Sequence, residues 1–175
     1  EWHGRRVVGL APAAVSTSKK NSPEAVNEPL FKSDIVTGKT PGDAVDIAVD
    51  LKGVKQISLV VTDGGNGFSC DWADWINPTF LGPAGMKKLT ELKWKSASAG
   101  FGKVQINRNN GGSPAVVDGK TIENCIGTHA NSVIVFDVPE GFDKFSAQGG
   151  LDAGGVGQGA CGATASVQFL VYAGA

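Results

Sequence analysis

The segment from Asp63 to Trp75 holds the densest group of side chains that could do chemistry. It carries three carboxylates, an asparagine and two tryptophans in a glycine-rich stretch. Carboxylate, amide and backbone carbonyl oxygens are the ligands that Ca²⁺ prefers. A calcium site here would use Asp63, Asn66, Asp71 and Asp74. The spacing does not follow an EF-hand loop, and the alternative is a long turn whose aspartates cap backbone N–H groups.

The two tryptophans of this segment allow a second kind of chemistry. An exposed indole offers a flat apolar face to a sugar ring, and neighbouring Asp or Asn side chains can bind sugar hydroxyls. Positions three apart in a strand face opposite ways, so one of Trp72 and Trp75 is expected to be exposed. We expect Trp75 to be the more buried, and the alternative is that both belong to the core.

His129 lies directly before the most apolar run of the chain. A lone histidine in that position more often makes a structural hydrogen bond than it catalyses a reaction. It could be combined on paper with Ser132, Cys125 or Asp152, but no pattern identifies a catalytic partner. The paired acid and base of a glycosidase are not recognisable either. We therefore predict a non-catalytic protein.

The glycine-rich stretch 149–160 contains Gly155, Gly157 and Ala160 in the spacing of a dinucleotide-binding turn. That turn needs a helix after it, whereas a strand-like segment, 164–172, follows here. The stretch is predicted to be a loop that is mobile or shapes a ligand site.

Composition excludes several classes of protein. The net charge is −1, so no basic face is available for nucleic acid, and no apolar run is long enough to span a membrane. The 25 glycines indicate many tight turns between short strands. In an oxidising compartment the three cysteines would form at most one internal disulfide, and in a reducing one they would be three buried or inert thiols.

Alternation of apolar and polar residues predicts an all-β protein, an antiparallel two-sheet β-sandwich of the jelly-roll type. Residues 1–40 are predicted to be an extended arm or linker and residues 41–175 the sandwich. The segment Met86–Lys95 is readable as a helix or as a strand ending at Trp94. The predicted strands are 45–51, 56–62, 101–107, 114–117, 120–123, 132–138, 143–147 and 164–172.

Three segments, in this order, resemble the NPCBM family of carbohydrate-binding modules, which overlaps carbohydrate-binding module family fifty-one. They are Val60–Pro78, Ile126–Val138, and Phe145–Asp152 taken with the terminal Ser166–Val171. The Gly-Thr-His-Ala sequence that ends at Ala130 and the spacing of Asp71 and Trp75 carry most of the resemblance.

The resemblance implies a galactose-binding-like jelly roll, a structural Ca²⁺ and recognition of a glycan, often of galactose type, by loops at one end of the sandwich. It implies a secreted or cell-surface protein, commonly linked to a glycoside hydrolase or another domain of a longer chain. With Trp72 added from the residue types above, the predicted sugar-binding residues are Asp71, Trp72, Trp75, His129, Asn131 and Asp152.

The cysteines depart from that family pattern. Pairing of Cys125 with Cys161 would staple two loops beside the predicted site, and a Cys70 partner is the rival.

The alternative function is an extracellular structural or adhesive subunit that assembles with copies of itself. Residues 1–40 carry Val7, Val8 and Leu10, which could pair with the edge of a neighbouring sheet. Size-exclusion chromatography with and without residues 1–40 separates the two functions, since only assembly requires the arm.

Overall fold

A computed structural model of the chain describes residues 27–174. Short strands dominate, joined by tight turns, with two short helices near the end and 3-10 turns at Pro41–Asp43 and Leu89–Glu91. The elements are β1 (Phe31–Lys32), β2 (Val36–Thr37), β3 (Ala44–Asp50), β4 (Gln56–Thr62), β5 (Trp72–Gly82), β6 (Gly85–Lys88), β7 (Ser96–Ser98), β8 (Gln105–Ile106), β9 (Ala115–Val117), β10 (Lys120–Ile122), β11 (Cys125–His129), β12 (Ser132–Asp137), β13 (Lys144–Leu151), α1 (Ala153–Val156), α2 (Gly159–Ala163) and β14 (Ser166–Ala173).

Two antiparallel sheets pack face to face. The first has the order β1–β14–β4–β12–β7, with β2 also pairing with β14. The second has the order β3–β13–β5–β11–β8, with β6 on β5, and β9 and β10 form a separate hairpin. The predicted antiparallel β-sandwich is therefore confirmed.

Trp75 lies at the centre of the core between the sheets. Its side chain is fully buried, and its ring lies edge-on to Phe169 of the opposite sheet at 5.0 Å between centroids. The ring of Phe145 approaches it from β13 at 6.3 Å. Aromatic pairs in this arrangement add stability beyond that of the buried area.

Gly149 explains why β13 runs on into a stretch that the sequence predicted as a loop. A Cβ atom at this position would lie 2.6 Å from the ring of Phe169, so only glycine lets β13 pass beneath that ring. The rest of the glycine-rich stretch forms α1 and α2, so the prediction of a loop is wrong.

Strands with one exposed face were predicted well, and β4 matches its predicted limits. The long strand β5 was missed, because four of its first five residues are buried and no alternation shows. Of the predicted strand 101–107 only Gln105–Ile106 pairs. The segment Met86–Lys95 is neither a full helix nor a strand to Trp94: it continues β6 to Lys88 and then makes a 3-10 turn.

Strand pairing begins earlier than residue 41. Both β1 and β2 pair with β14, so residues 31–37 are part of the sandwich rather than of an arm. Val7, Val8 and Leu10 lie outside the described residues, and so does the arm-pairing hypothesis that depends on them. Between residues 27 and 174 no helix has the length and apolar character needed to cross a membrane.

Candidate functional site

The acidic, tryptophan-bearing segment and the histidine-bearing segment meet at one end of the second sheet. Strands β5 and β11 pair so that His129 lies opposite Trp72. Beyond that pair, the backbone N–H of Ala130 donates to the carbonyl of Asp71 at 3.0 Å. The ring of Phe68 lies edge-on to the His129 imidazole, with 6.2 Å between centroids.

A pocket of about 340 Å³ opens where the two segments meet. We call it the aromatic pocket, and its lining residues are Phe68, Ser69, Cys70, Trp72, Phe101, His129, Gln158 and Cys161. Phe68 and Phe101 keep 53% and 64% of their surface exposed. The ring of Phe101 lies 5.6 Å from the imidazole of His129, so both phenylalanine rings contact the same histidine.

A disulfide forms one wall of the aromatic pocket. It joins Cys70, just before β5, to Cys161 in α2. The rival pairing to Cys125–Cys161 is thus the one that the structure forms. Cys125 is a buried free thiol, and burial raises its pKa to about 12, with Asp74 and Asp152 adding to the effect.

The indole of Trp72 is held between glycines. A Cβ atom on Gly111 would lie 2.8 Å from its Cη2 atom, and one on Gly154 would lie 2.6 Å from Cζ3. Backbone therefore packs directly against the ring from two segments. This clamp leaves Trp72 half-buried, with part of the indole in the pocket wall.

His129 is 4% exposed, and its Nδ1 atom lies 2.7 Å from the carbonyl oxygen of Ala130. Because a carbonyl can only accept, Nδ1 carries the proton in this contact. In this tautomer Nε2 is the ring nitrogen that can accept from a ligand hydroxyl.

Asp71 is fully buried beside the pocket rather than in its lining. One carboxylate oxygen accepts from the backbone N–H of Ser166 at 2.9 Å, and the other has no partner among the described residues. Burial raises the pKa of Asp71 to about 7; the Ser166 hydrogen bond lowers it and the charge of Asp63 raises it. Asp71 thus ties the segment before β5 to the start of β14.

Of the six predicted sugar-binding residues, the pocket brings together Trp72 and His129. Trp75 and Asp152 have almost no exposed surface, as is true of Asp71, so none of the three presents its side chain to a ligand here. Asn131 is exposed, but its side-chain oxygen accepts from the Asp63 backbone N–H at 3.2 Å, and it does not line the pocket.

Asp152 organises the layer that covers the outer face of the second sheet. One of its oxygens caps α1 by accepting from the Gly154 N–H at 2.8 Å, and also accepts from the amide of Asn109 at 3.1 Å. The other accepts from the Val116 N–H at 3.0 Å. Asp152 therefore holds α1, the hairpin β9–β10 and the loop before it against the sheet.

Asp74 lies against Asp152 and is fully buried. No described donor reaches either of its carboxylate oxygens. Burial raises the pKa of Asp74 well above its usual range, and the hydrogen bond and charge of Asp152 raise it further. The protonated Asp74 carboxyl can donate to Asp152, which otherwise only accepts hydrogen bonds.

The three carboxylates among the four residues predicted to bind Ca²⁺, those of Asp63, Asp71 and Asp74, do not form one group in the described residues. Asp63 accepts from the Gly65 N–H at 2.8 Å, and the Asn66 side-chain oxygen accepts from the Ser166 hydroxyl at 2.7 Å. Asp74 faces Asp152 instead. Within residues 27–174 no group of three or more His, Cys, Asp or Glu side chains is placed to hold a metal ion.

We expect the melting temperature to be the same, within about 1 °C, in EDTA and in millimolar CaCl₂, since a ligand stabilises only through preferential binding to the folded state. Differential scanning fluorimetry checks this. A rise of several degrees with Ca²⁺ that EDTA reverses would contradict it.

Phe68, Phe101 and Gln158 were not predicted as site residues. Phe101 was assigned to a strand, and Gln158 lay in the glycine-rich stretch that was predicted to be a loop that is mobile or shapes a ligand site. A further signal was Phe68, a large aromatic residue within a glycine-rich loop, where no core can form locally.

A protein-family model described as "NPCBM/NEW2 domain" matches residues 24–81 and 85–175. No curated protein and no solved structure matches the chain.

Proposed function

The chain belongs to the NPCBM/NEW2 domain family, and we propose that it binds a glycan in the aromatic pocket without catalysing a reaction. The family suggests a carbohydrate-binding module. The aromatic pocket is the site at which we propose that the glycan binds.

The observation that carries the proposal is the pair of exposed phenylalanines beside the half-buried indole of Trp72 and the largely buried imidazole of His129. Two phenyl rings left in water do not contribute the free energy that burying them would give. Exposed aromatic rings around a concavity are typical of a ligand site. Flat aromatic faces suit the C–H faces of sugars.

Hydroxyl recognition would come from a few fixed polar groups. Gln158 donates from its amide nitrogen to the carbonyl of Gly154 at 2.8 Å, which leaves the amide oxygen as an acceptor. His129 offers Nε2, and the Ser69 hydroxyl can both donate and accept. A small ligand held by so few groups binds weakly, so useful affinity would come from several linked sites.

The lining of the pocket carries no carboxylate, whereas glycoside hydrolysis uses two at a defined separation. This supports a binding role rather than a hydrolytic one. The disulfide favours an oxidising compartment, so we extend the proposal to a secreted or cell-surface location.

Phe101→Ala is expected to weaken glycan binding at least about tenfold, because it removes one apolar wall of the pocket. A glycan array identifies the ligand, and isothermal titration calorimetry measures the affinity. Met86→Ala is the matched control, since Met86 is 65% exposed, close to the 64% of Phe101, but lies on β6 outside the pocket.

The control variant should bind as the wild type does. The proposal fails if the wild type binds no glycan, or if Phe101→Ala binds with unchanged affinity.

A further inference from the structure

We infer that the aromatic pocket selects sugars that carry a methyl group, either on a 6-deoxy carbon or in an acetamido substituent, over their fully hydroxylated and acidic counterparts. This inference rests on the proposed function and specifies the class of glycan that the same pocket takes.

The first support is the ratio of apolar to polar groups in the lining. Three aromatic rings and a disulfide line the pocket, against polar side-chain groups from Ser69, His129 and Gln158 and the indole N–H of Trp72. Of these, His129 and Gln158 already use one polar atom each in a protein hydrogen bond. A hexose presents more hydroxyls than these groups can satisfy, and a hydroxyl buried without a partner is penalised.

The second support is charge. No Asp, Glu, Lys or Arg side chain lines the pocket. A carboxylate on a uronic or sialic acid would lose water against apolar walls without gaining a cationic partner. Acidic sugars are therefore disfavoured.

A second pocket on the same sheet has a more polar lining, so the apolar lining is particular to the aromatic pocket. It measures about 330 Å³ and lies on the outer face around Ile76, four residues along β5 from Trp72. Its lining includes Asp46, Asp118, Lys120 and Gln148, with Gln148 donating to Asp46 at 2.9 Å. Those groups suit hydroxyls, whereas the aromatic pocket offers rings in their place.

A methyl substituent can pack against the apolar surface of this lining. The Phe68 and Phe101 rings both lie beside the imidazole of His129, so an apolar group bound against that histidine would be close to aromatic rings. Burying one methyl group corresponds to about a fourfold gain in affinity over a partner that lacks it. The gain is larger where the replaced group is a hydroxyl that would lose its hydrogen bonds.

The experiment uses matched pairs of monosaccharides titrated into the wild-type protein, with binding followed by NMR chemical-shift changes. L-Fucose and L-galactose differ only by the oxygen on carbon 6, and N-acetylgalactosamine and galactose differ only at carbon 2. Galacturonic acid tests the acidic class. We expect at least one methyl-bearing sugar to bind about fourfold or more tightly than its hydroxylated partner, and galacturonic acid to bind most weakly.

Phe101→Ala should reduce that preference, and Met86→Ala should keep it. The inference is overturned, and the proposed function left standing, if the hydroxylated or acidic sugars bind as tightly as the methyl-bearing ones. The inference also fails, with the proposed function still standing, if no member of the panel causes shifts in the pocket residues while the glycan array shows binding. Both fail if the array shows no binding either.

Discussion

Replacing Cys70 and Cys161 together by alanine is expected to lower the free energy of unfolding by about 4 kcal/mol. The disulfide joins residues separated by 91 positions, so it restricts the unfolded chain strongly. For a chain of this size the melting temperature should fall by about 10 °C. Thermal melts of the wild type and the double variant, with and without a reducing agent, measure the effect.

The two controls separate the cross-link from the side chains. Reduction should lower the melting temperature of the wild type toward that of the double variant and leave the double variant unchanged. Cys125→Ala removes a buried thiol that forms no cross-link, so reduction should still destabilise that variant. Equal melting of oxidised and reduced wild type would contradict the prediction.

Glycan binding should weaken together with stability in the double variant, even at temperatures where it stays folded. Both half-cystines line the aromatic pocket, and Cys161 lies in α2, next to Gln158. Without the cross-link, the wall formed by the half-cystines and the side chain of Gln158 lose their fixed positions. Part of the binding free energy is then used to order them, so the affinity falls.

Asp74→Asn is expected to remove a dependence of stability on pH that the wild type shows. The pKa of Asp74 is raised in the folded protein, mainly by burial, so the folded state holds a proton that the unfolded state releases. This stabilisation is complete below the unfolded pKa of about 3.9 and is lost as the pH rises through the folded pKa. The difference in slope between wild type and variant should approach about 1.4 kcal/mol per pH unit within that window.

Urea unfolding at several values between pH 4.5 and pH 8.5 measures the two slopes. The pKa of Asp71 is also raised, to about 7, by burial. Its ionisation therefore also lowers the free energy of unfolding as the pH rises from the unfolded pKa to about 7. It is present in both proteins, so its contribution cancels in the difference. Parallel pH profiles for the wild type and Asp74→Asn would refute a proton held by Asp74.

Asp152→Asn is the matched contrast, since it makes the same chemical change on the neighbouring carboxyl. Both oxygens of Asp152 accept backbone N–H groups, from Gly154 and Val116. An amide can offer only one oxygen, so one backbone N–H would face an NH₂ group. We expect a loss of about 2 kcal/mol at neutral pH. Asp74→Asn, whose amide can still donate to Asp152 and which no longer loses stability as the pH rises, should instead be more stable than the wild type at that pH.

Elements with one buried face could be predicted from the sequence. In β3 and β4 apolar residues alternate with polar or exposed ones, which is the mark of a half-buried strand. That pattern disappears in β5, where Asp74 is as buried as Ala73 and Trp75. From the sequence alone, an aspartate within an apolar run indicates a loop. The structure shows instead that Asp74 is buried in a strand beside Asp152.

The candidate site was predictable only in part, for a similar reason. Residue types identified two segments that carry Trp72 and His129, and the pairing of β5 with β11 brings them together. Phe101 and Gln158 come from other parts of the chain and carry no motif of their own. These two residues reach the pocket only because the tertiary structure brings their segments next to Trp72 and His129. A local sequence pattern does not predict that.

The sequence by itself determined the class of fold, several strands with one exposed face, the family and the two segments around the pocket, because these follow from local alternation and short motifs. Tertiary structure decided which tryptophan is buried, which cysteines pair and which aspartates face one another. Each of those outcomes depends on distances between residues that are far apart in the chain. The same side chain can bind a ligand or support the core, and burial and hydrogen-bond partners determine which.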